Sequence, residues 1–142
     1  MPAPFAQSEY LSILTHTPPD ALKRFAEDVL PHVGEIAVLK SQTGLVMLPC
    51  RDSAEGVVFH LGEVLVSEAH VRLAGGAEGY GMVIGRDAVQ AMAVAVLDAA
   101  LTAGIMTAPI YDFIAQQAAA QRQADDSLLC LVGATRVEME TF

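Results

Sequence analysis

A segment of sixteen residues with almost no polar side chains most constrains what this chain can fold into. Residues 88–103 read AVQAMAVAVLDAALTA, and their polar side chains are those of Gln90, Asp98 and Thr102. The composition predicts a helix, with Asp87 as its N-cap. A surface helix needs a wide polar face. This helix must therefore be covered on nearly every side.

Two kinds of cover remain open for this helix. Either its own domain buries it, or its outer side contacts another chain. Its many alanines would allow a second helix to approach closely. If another chain supplies the cover, we expect Met92, Val96 and Ala99 at the contact. The apolar run is shorter than the roughly 18 residues of a membrane-spanning helix.

The segment before this helix has the pattern of two strands. Residues 64–73 alternate, with Leu65, Ser67, Ala69, Val71 and Leu73 pointing one way and Val64, Val66, Glu68, His70 and Arg72 the other. Gly75 and Gly76 indicate a turn, and residues 80–84 return as a glycine-bearing strand. This order predicts an antiparallel pair that leads directly into the apolar helix.

The remaining elements follow from periodicity and breaker residues. Pro31 is expected to end a helix, residues 42–44 to form a hairpin turn, and residues 125–126 to end another helix. The sequence thus predicts helices over 8–16, 21–30 and 109–123, and strands over 36–41, 45–48, 57–60 and 136–142. Residues 1–142 are expected to form a single α+β domain, mainly an antiparallel sheet packed with helices.

Composition excludes several functions. The formal net charge is −9, and the eight basic residues are scattered, which argues against nucleic-acid binding. Cys50 and Cys130 lie in apolar surroundings and are expected to be buried thiols. The four histidines have no metal-ligand spacing, so no metal site is predicted. The segment MPAPFAQSEY lacks the features of a signal peptide, so the cytoplasm is the expected location.

One strand face carries a row of chemically capable side chains. Glu68, His70 and Arg72 place an acid, a titratable base and a permanent cation at spacing two. Arg72 has the geometry to bind a phosphate or a carboxylate with two hydrogen bonds. A solvated or partner-facing sheet surface is the commoner explanation of such a row.

A second candidate lies where the glycine-rich strand meets the apolar helix. Backbone N–H groups at a helix N-terminus can hold an anion, and Arg86 would add positive charge. The segment is neither a phosphate loop nor a dinucleotide-binding fingerprint. A tight turn with Asp87 as its own carboxylate cap is therefore the commoner explanation.

The order of these motifs resembles one known family. The segments YLSILTHTPPDAL (10–22), TGLVMLPCRD (43–52), FHLGEVLVSEAHVRL (59–73), GYGMVIGRDAVQAMAVAVLDAAL (79–101) and ATRVEME (134–140) resemble the PhnG family, the G subunit of bacterial carbon–phosphorus lyase. The resemblance runs in the same order over most of the chain.

This resemblance implies an accessory subunit in phosphonate utilisation. Members assemble with the H, I and J subunits, and the I subunit is the most direct partner. The complex forms ribose 1-phosphonate 5-triphosphate from ATP and a phosphonate, which are substrates of the complex. The G subunit is implied to bind no cofactor itself and to have no established catalytic residues. Because helix 88–103 has so few polar positions, the chain expressed alone is expected to self-associate or to be poorly soluble.

One alternative comes from a different class of protein. Glycine-interrupted antiparallel sheets with a polar face also occur in the chorismate-lyase-like fold. The chain would then be a stand-alone domain that binds a small acid, or a lyase. This alternative is an analogy of fold, and a fold does not determine function.

Overall fold

The computed structural model describes residues 3–51, 54 and 56–134. The predicted strand over 136–142 lies outside these residues, as does the side chain of Cys50. The elements of this described part are α1 (Gln7–Thr15), α2 (Pro19–Val33), β1 (Ile36–Arg51), β2 (Val58–Leu73), β3 (Glu78–Ile84), α3 (Ala88–Ala103) and α4 (Thr107–Ala134). The three strands form one antiparallel sheet in the order β1-β2-β3, which confirms the predicted α+β class.

The apolar helix α3 lies at the centre of the domain. It packs on β2 and β3 and is flanked by α1, α2 and α4. Asp87 caps it, accepting a hydrogen bond from the Gln90 N–H at 3.0 Å. Gly104 ends it in a left-handed conformation at φ 75°. Every residue from Ala93 to Ala100 is buried. Its own domain therefore supplies most of the cover that the composition requires.

Two glycines let β3 lie directly on this helix. A Cβ added to Gly79 would lie 2.0 Å from the Ala95 carbonyl oxygen and 2.7 Å from the Ala99 Cβ. A Cβ added to Gly81 would lie 2.4 Å from the Ala91 carbonyl oxygen. The strand and the helix thus meet backbone to backbone, which only glycine permits at such distances.

The predicted hairpin at residues 42–44 is wrong. These residues lie inside β1, and Thr43 and Gly44 pair with Ser67 and Val66 of β2. The separate strand predicted over 57–60 is likewise the beginning of the long strand β2. Long-range pairing along β2 outweighs the local turn signal of Gly44, which does not adopt positive φ. Pro49 lies at a register shift of the edge strand β1, a position where proline is tolerated.

Past the end of β3, the sheet consists of β1 and β2 alone. Residues 45–51 of β1 pair with residues 58–65 of β2, whereas β3 pairs only with residues 66–72. We call this two-stranded part the ribbon. Its exposed apolar side chains include Leu45 at 60% and Met47 at 58%. A two-stranded ribbon has little stability of its own in water, and this one also exposes apolar side chains to solvent.

Two helices are longer than the sequence predicts. Helix α2 continues through Pro31 to Val33 and ends before Gly34, at φ 73°. Pro31 lies in the last turn, so the helix continues for only two residues beyond the hydrogen bond that the proline removes. Helix α4 continues through Asp125 and Asp126 to Ala134.

The second half of α4 extends away from the rest of the domain. Gln121 is the last residue of α4 that is partly covered, and residues 122–134 are all exposed. We call these residues the α4 extension. Cys130 lies in it and is exposed, so the prediction that this thiol is buried is wrong. Its apolar neighbours in sequence are exposed on the same segment, including Leu129 at 67%.

Candidate functional site

The outer face of the sheet carries the predicted polar row. The alternation of β2 is confirmed, because Ser67, Ala69 and Val71 are buried toward α3. The side chains on the opposite face belong to all three strands and form a cross-strand network: Lys40, Gln42, Glu68, His70, Arg72, Glu78 and Tyr80.

Glu68 is the acceptor at the centre of the first half of this network. The Tyr80 hydroxyl donates to its Oε2 at 2.6 Å, the Lys40 Nζ lies 3.0 Å from its Oε1, and the Gln42 amide donates to the same oxygen. The Tyr80 hydroxyl and then Lys40 lower the pKa of Glu68 to about 2. Partial burial, and then Glu68, raise the pKa of Tyr80 to about 12.

Glu78 is the acceptor in the second half. Arg72 donates to its Oε1 from Nε at 3.0 Å and from Nη2 at 2.5 Å. The His70 Nε2 lies 3.4 Å from the other carboxylate oxygen. Arg72 is the main cause that lowers the pKa of Glu78. The guanidinium fork of Arg72 is thus directed at a carboxylate of its own chain.

The structure brings Glu68, His70 and Arg72 together on one face but engages each with a neighbouring strand. An anionic ligand would have to compete with Glu78 for Arg72. The role of this row in binding a ligand stays a prediction, and its demonstrated contacts are cross-strand pairs. Sequence reasoning missed Glu78, because cross-strand neighbours depend on a register that the sequence does not display.

We expect the two carboxylates of this network to make the stability of the chain sensitive to acid. Because the folded-state pKa of Glu68 is lowered, its contribution is present above about pH 4.5 and is lost as the pH falls toward 2. Glu68→Gln should therefore destabilise the chain at pH 7 and have no effect near pH 2. Urea denaturation of both proteins across this range measures the difference. Glu63→Gln, at an exposed position of the same strand, is the matched control.

Arg86 lies apart from this network. It is exposed in the turn between β3 and α3, where Gly85 adopts φ 108°. Asp87 next to it caps α3 and forms an ion pair with the Lys23 Nζ at 2.7 Å. Lys23, followed by the Gln90 N–H, lowers the pKa of Asp87. The carboxylate cap expected from the sequence therefore occupies the helix N-terminus.

A buried carboxylate that the sequence analysis did not select links three elements. Asp98 of α3 is 1% exposed. It accepts hydrogen bonds from the Tyr10 hydroxyl, from the Tyr80 N–H at 3.0 Å and from the Gln7 amide at 3.2 Å. Burial, and then Asp98, raise the pKa of Tyr10. Asp98 thereby joins α1 and the edge of β3 to α3. Its signal in the sequence is that it is the only charged residue within α3.

The three predicted contact residues of α3 lie in different environments. Ala99 is fully buried beneath Gly79, and Val96 is 2% exposed. Met92 is half-buried and lines a shallow apolar groove of about 180 Å³ between α2 and α3, beside Leu30 and Val89. Of the three, Met92 keeps the largest surface for another chain, and its role in an interface stays a prediction.

Two further findings concern the described part of the chain. No group of three or more His, Cys, Asp or Glu side chains in it has an arrangement that could hold a metal ion. Nor does any helix among the described residues have the length and apolar character needed to cross a membrane.

The fold and its surfaces define the class of the protein. It is a small α+β domain whose three-stranded sheet is covered on one side by helices, and whose ribbon and α4 extension present apolar side chains suited to contact with other chains.

The chain belongs to the PhnG family, described as phosphonate metabolism protein PhnG, whose sequence signature matches residues 6–142. It is 34% identical over 119 residues to a protein of Rhizobium meliloti (strain 1021) named alpha-D-ribose 1-methylphosphonate 5-triphosphate synthase subunit PhnG. The match covers 82% of this chain and 76% of that relative. The resemblance inferred from the sequence is thereby confirmed.

Proposed function

We propose that the chain is an accessory subunit of the carbon–phosphorus lyase core complex. In this role it supports the formation of ribose 1-phosphonate 5-triphosphate from ATP and an alkylphosphonate. Its partners are the H, I and J subunits in the cytoplasm, with the I subunit the most direct contact. ATP and the phosphonate are substrates of the complex, and the chain binds no cofactor of its own. Family membership and the name of the relative support this proposal.

The observation that carries the proposal is the exposed apolar surface of the α4 extension. Leu128, Leu129 and Leu131 are 60–67% exposed on it. A helical segment of this length has little stability in water without tertiary packing. A partner chain that covers these leucines would supply that packing.

The chemistry of the outer sheet face supports an accessory rather than a catalytic role. Glu68 and Glu78 hold lowered pKa values and accept from cations of their own chain, so neither is poised as a general acid. In this proposal the bond-making chemistry belongs to the partner subunits, and this chain positions them.

A leucine-to-glutamate pair in the α4 extension tests the proposal. We expect Leu129→Glu with Leu131→Glu to abolish co-purification with the H, I and J subunits and growth on methylphosphonate as sole phosphorus source. The melting temperature should change little, because both residues are exposed. Ala119→Glu, exposed on the first half of α4, is the matched control and should behave like the unchanged chain.

Two results would contradict the proposal at different levels. If a strain without this chain grows normally on methylphosphonate, the function is wrong. If the double variant still assembles while Val89→Glu in the apolar groove does not, the function stands and the contact lies beside Met92 instead.

The stand-alone alternative has weaker support. A domain that binds a small acid needs a recessed site with free cationic groups. The cleft of about 300 Å³ at one end of the sheet contains Arg72, whose guanidinium is already paired with Glu78. We therefore do not advance this alternative.

A further inference from the structure

The outer side of β1 carries backbone groups that the sheet leaves unpaired. β1 is an edge strand, and no other strand of the described chain pairs with its outer side. Two hydrogen bonds define the direction of the backbone groups of β2. The Gly85 N–H donates to the Leu65 carbonyl at 2.9 Å, on the side of β3. The Ala74 N–H donates to the Glu35 carbonyl at 3.2 Å, on the side of β1. Even-numbered residues of β2 therefore direct their backbone groups to β1.

The register extends this alternation to β1. Gln42, Gly44 and Val46 pair with even-numbered residues of β2, so their N–H and carbonyl groups point inward, to β2. The backbone groups of the residues that alternate with them point outward: Ser41, Thr43, Leu45 and Met47. We call residues 41–47 the open edge. Apart from Gly44, every residue of the open edge is exposed.

The open edge lies between two features that protect strand edges. A bulge between Val38 and Lys40 precedes it, and the register shift at Pro49 follows it. Bulges, lysines and prolines hinder the pairing of a strand edge with another chain. Residues 41–47 read SQTGLVM and contain neither a charged residue nor a proline. At about 3.4 Å per residue, they offer an edge of about 24 Å, enough for a strand of average length.

Apolar side chains accompany this edge on the inner face of the sheet. Thr43 pairs with the buried Ser67, so Leu45 and Met47 lie on the same face by alternation. They are nevertheless 60% and 58% exposed. A strand added to the open edge would place its own side chains beside both of them. Burial of these apolar side chains would then add to the backbone hydrogen bonds.

We propose that the open edge binds an extended segment of a partner subunit as a fourth strand of the sheet. The existence of such a partner rests on the proposed function. The bound segment is uncharged over the length of the open edge and places apolar side chains beside Leu45 and Met47. A charged segment would find no counter-charge among residues 41–47.

A second copy of β1 fits this edge poorly. Residues 41–43 carry hydrogen-bonding side chains, whereas residues 45–47 are apolar. In an antiparallel pair about Gly44, the apolar half of one copy would face the polar half of the other. Each copy also carries a net charge of −9, which opposes association of two copies. A segment of a different chain can match each half of the edge.

Amide hydrogen exchange tests the backbone pairing directly. In the free chain, the four outward N–H groups of the open edge should exchange fast, and the three inward ones slowly. In the complex with the purified H, I and J subunits, exchange of the outward groups should slow at least about tenfold. Quenched exchange, measured residue by residue by NMR of the isotope-labelled chain, records both patterns.

The outcomes of this measurement separate the binding mode from the proposed function. Outward N–H groups that stay unprotected in an assembled complex overturn the strand addition and leave the proposed function intact. A chain that does not assemble with the three subunits contradicts both. Protection that develops in the chain alone and rises with its concentration would place a second copy at the edge, and would also overturn the proposal.

A proline on the open edge provides the second test. Leu45→Pro removes an outward N–H, so the circular dichroism of the chain should be kept. Its affinity for the H, I and J subunits, measured by titration of the fluorescently labelled chain, should fall at least about tenfold. Leu45→Ala is the matched control, because it shortens the side chain but keeps the N–H, and it should weaken binding less. Val46→Pro removes an inward N–H and should destabilise the chain itself.

The comparison of the two Leu45 variants decides whether the backbone takes part. Equal affinities of Leu45→Pro and Leu45→Ala would show that the N–H makes no contact with the partner, and would overturn the proposal. If Leu45→Pro does not fold, the exchange measurement on the unchanged chain decides.

Discussion

Replacing Gly79 or Gly81 by alanine will destabilise the chain by at least about 3 kcal/mol, the upper range for overpacked interiors. The added Cβ would lie 2.0 Å from the Ala95 carbonyl oxygen at position 79 and 2.4 Å from the Ala91 carbonyl oxygen at position 81. Backbone atoms cannot rotate out of the way as side-chain ends do. The strand would have to move off α3, and with it the packing that buries the centre of the helix.

Urea denaturation followed by circular dichroism measures this effect. Gly75→Ala is the matched control, because a Cβ at Gly75 has no neighbour within 4 Å and its φ is not in the left-handed region. It should change the unfolding free energy by less than about 0.5 kcal/mol, as surface substitutions do. If Gly79→Ala also changes the unfolding free energy by less than about 0.5 kcal/mol, as surface substitutions do, then β3 does not contact the backbone of α3 at this position.

Asp98→Ala is expected to have the second largest effect, about 2–4 kcal/mol. The substitution leaves the buried Tyr10 hydroxyl and the partly buried Tyr80 N–H without their carboxylate acceptor, and an unsatisfied buried group costs about 1–3 kcal/mol. Loss of the buried negative charge offsets part of this cost. The loss should appear in equilibrium unfolding, with Asp112→Ala at an exposed position of α4 as the control.

A double-mutant cycle separates the hydrogen bond from other effects at this site. Tyr10→Phe removes the hydroxyl donor. The double variant Tyr10→Phe with Asp98→Ala removes both partners of the Tyr10–Asp98 hydrogen bond. The double variant should therefore be less destabilised than the sum of the single changes. Strict additivity would show that Tyr10 and Asp98 do not interact in solution.

The predictable parts of the fold rest on short-range patterns. The alternation of residues 64–73 determines which side chains face α3, and the cap at Asp87 determines where α3 begins. Residues 42–44 show the limit of this approach, since a glycine that is typical of a turn pairs instead with β2. A local conformational preference of about 1 kcal/mol cannot compete with the pairing of two strands of sixteen residues each. The extent of that pairing depends on both strands and cannot be read from either one alone.

The polar surface was predictable to the same extent. The shared face of Glu68, His70 and Arg72 follows from spacing two alone. Their partners do not, because Glu78 and Tyr80 come into contact with them only through the β2–β3 register. Asp98 is the opposite case. A lone carboxylate in an apolar helix was evident in the sequence, but its three donors come from segments more than fifteen residues away.

The length of α4 sets a distance within any assembly that uses it. A helix rises about 1.5 Å per residue, so the thirteen exposed residues of the extension span about 20 Å. The Gln121 amide, which donates to the Ile13 carbonyl at 2.9 Å, marks the point where this rod leaves the domain. The exposed leucines lie seven to ten residues beyond Gln121, so whatever covers them is held about 10–15 Å from that anchor. Because each residue also turns the helix by about 100°, removing four residues would rotate the leucines by about 40° while bringing them about 6 Å closer. Once the segment is packed as a helix, its length therefore determines both the distance of the leucines from the domain and the direction in which they point.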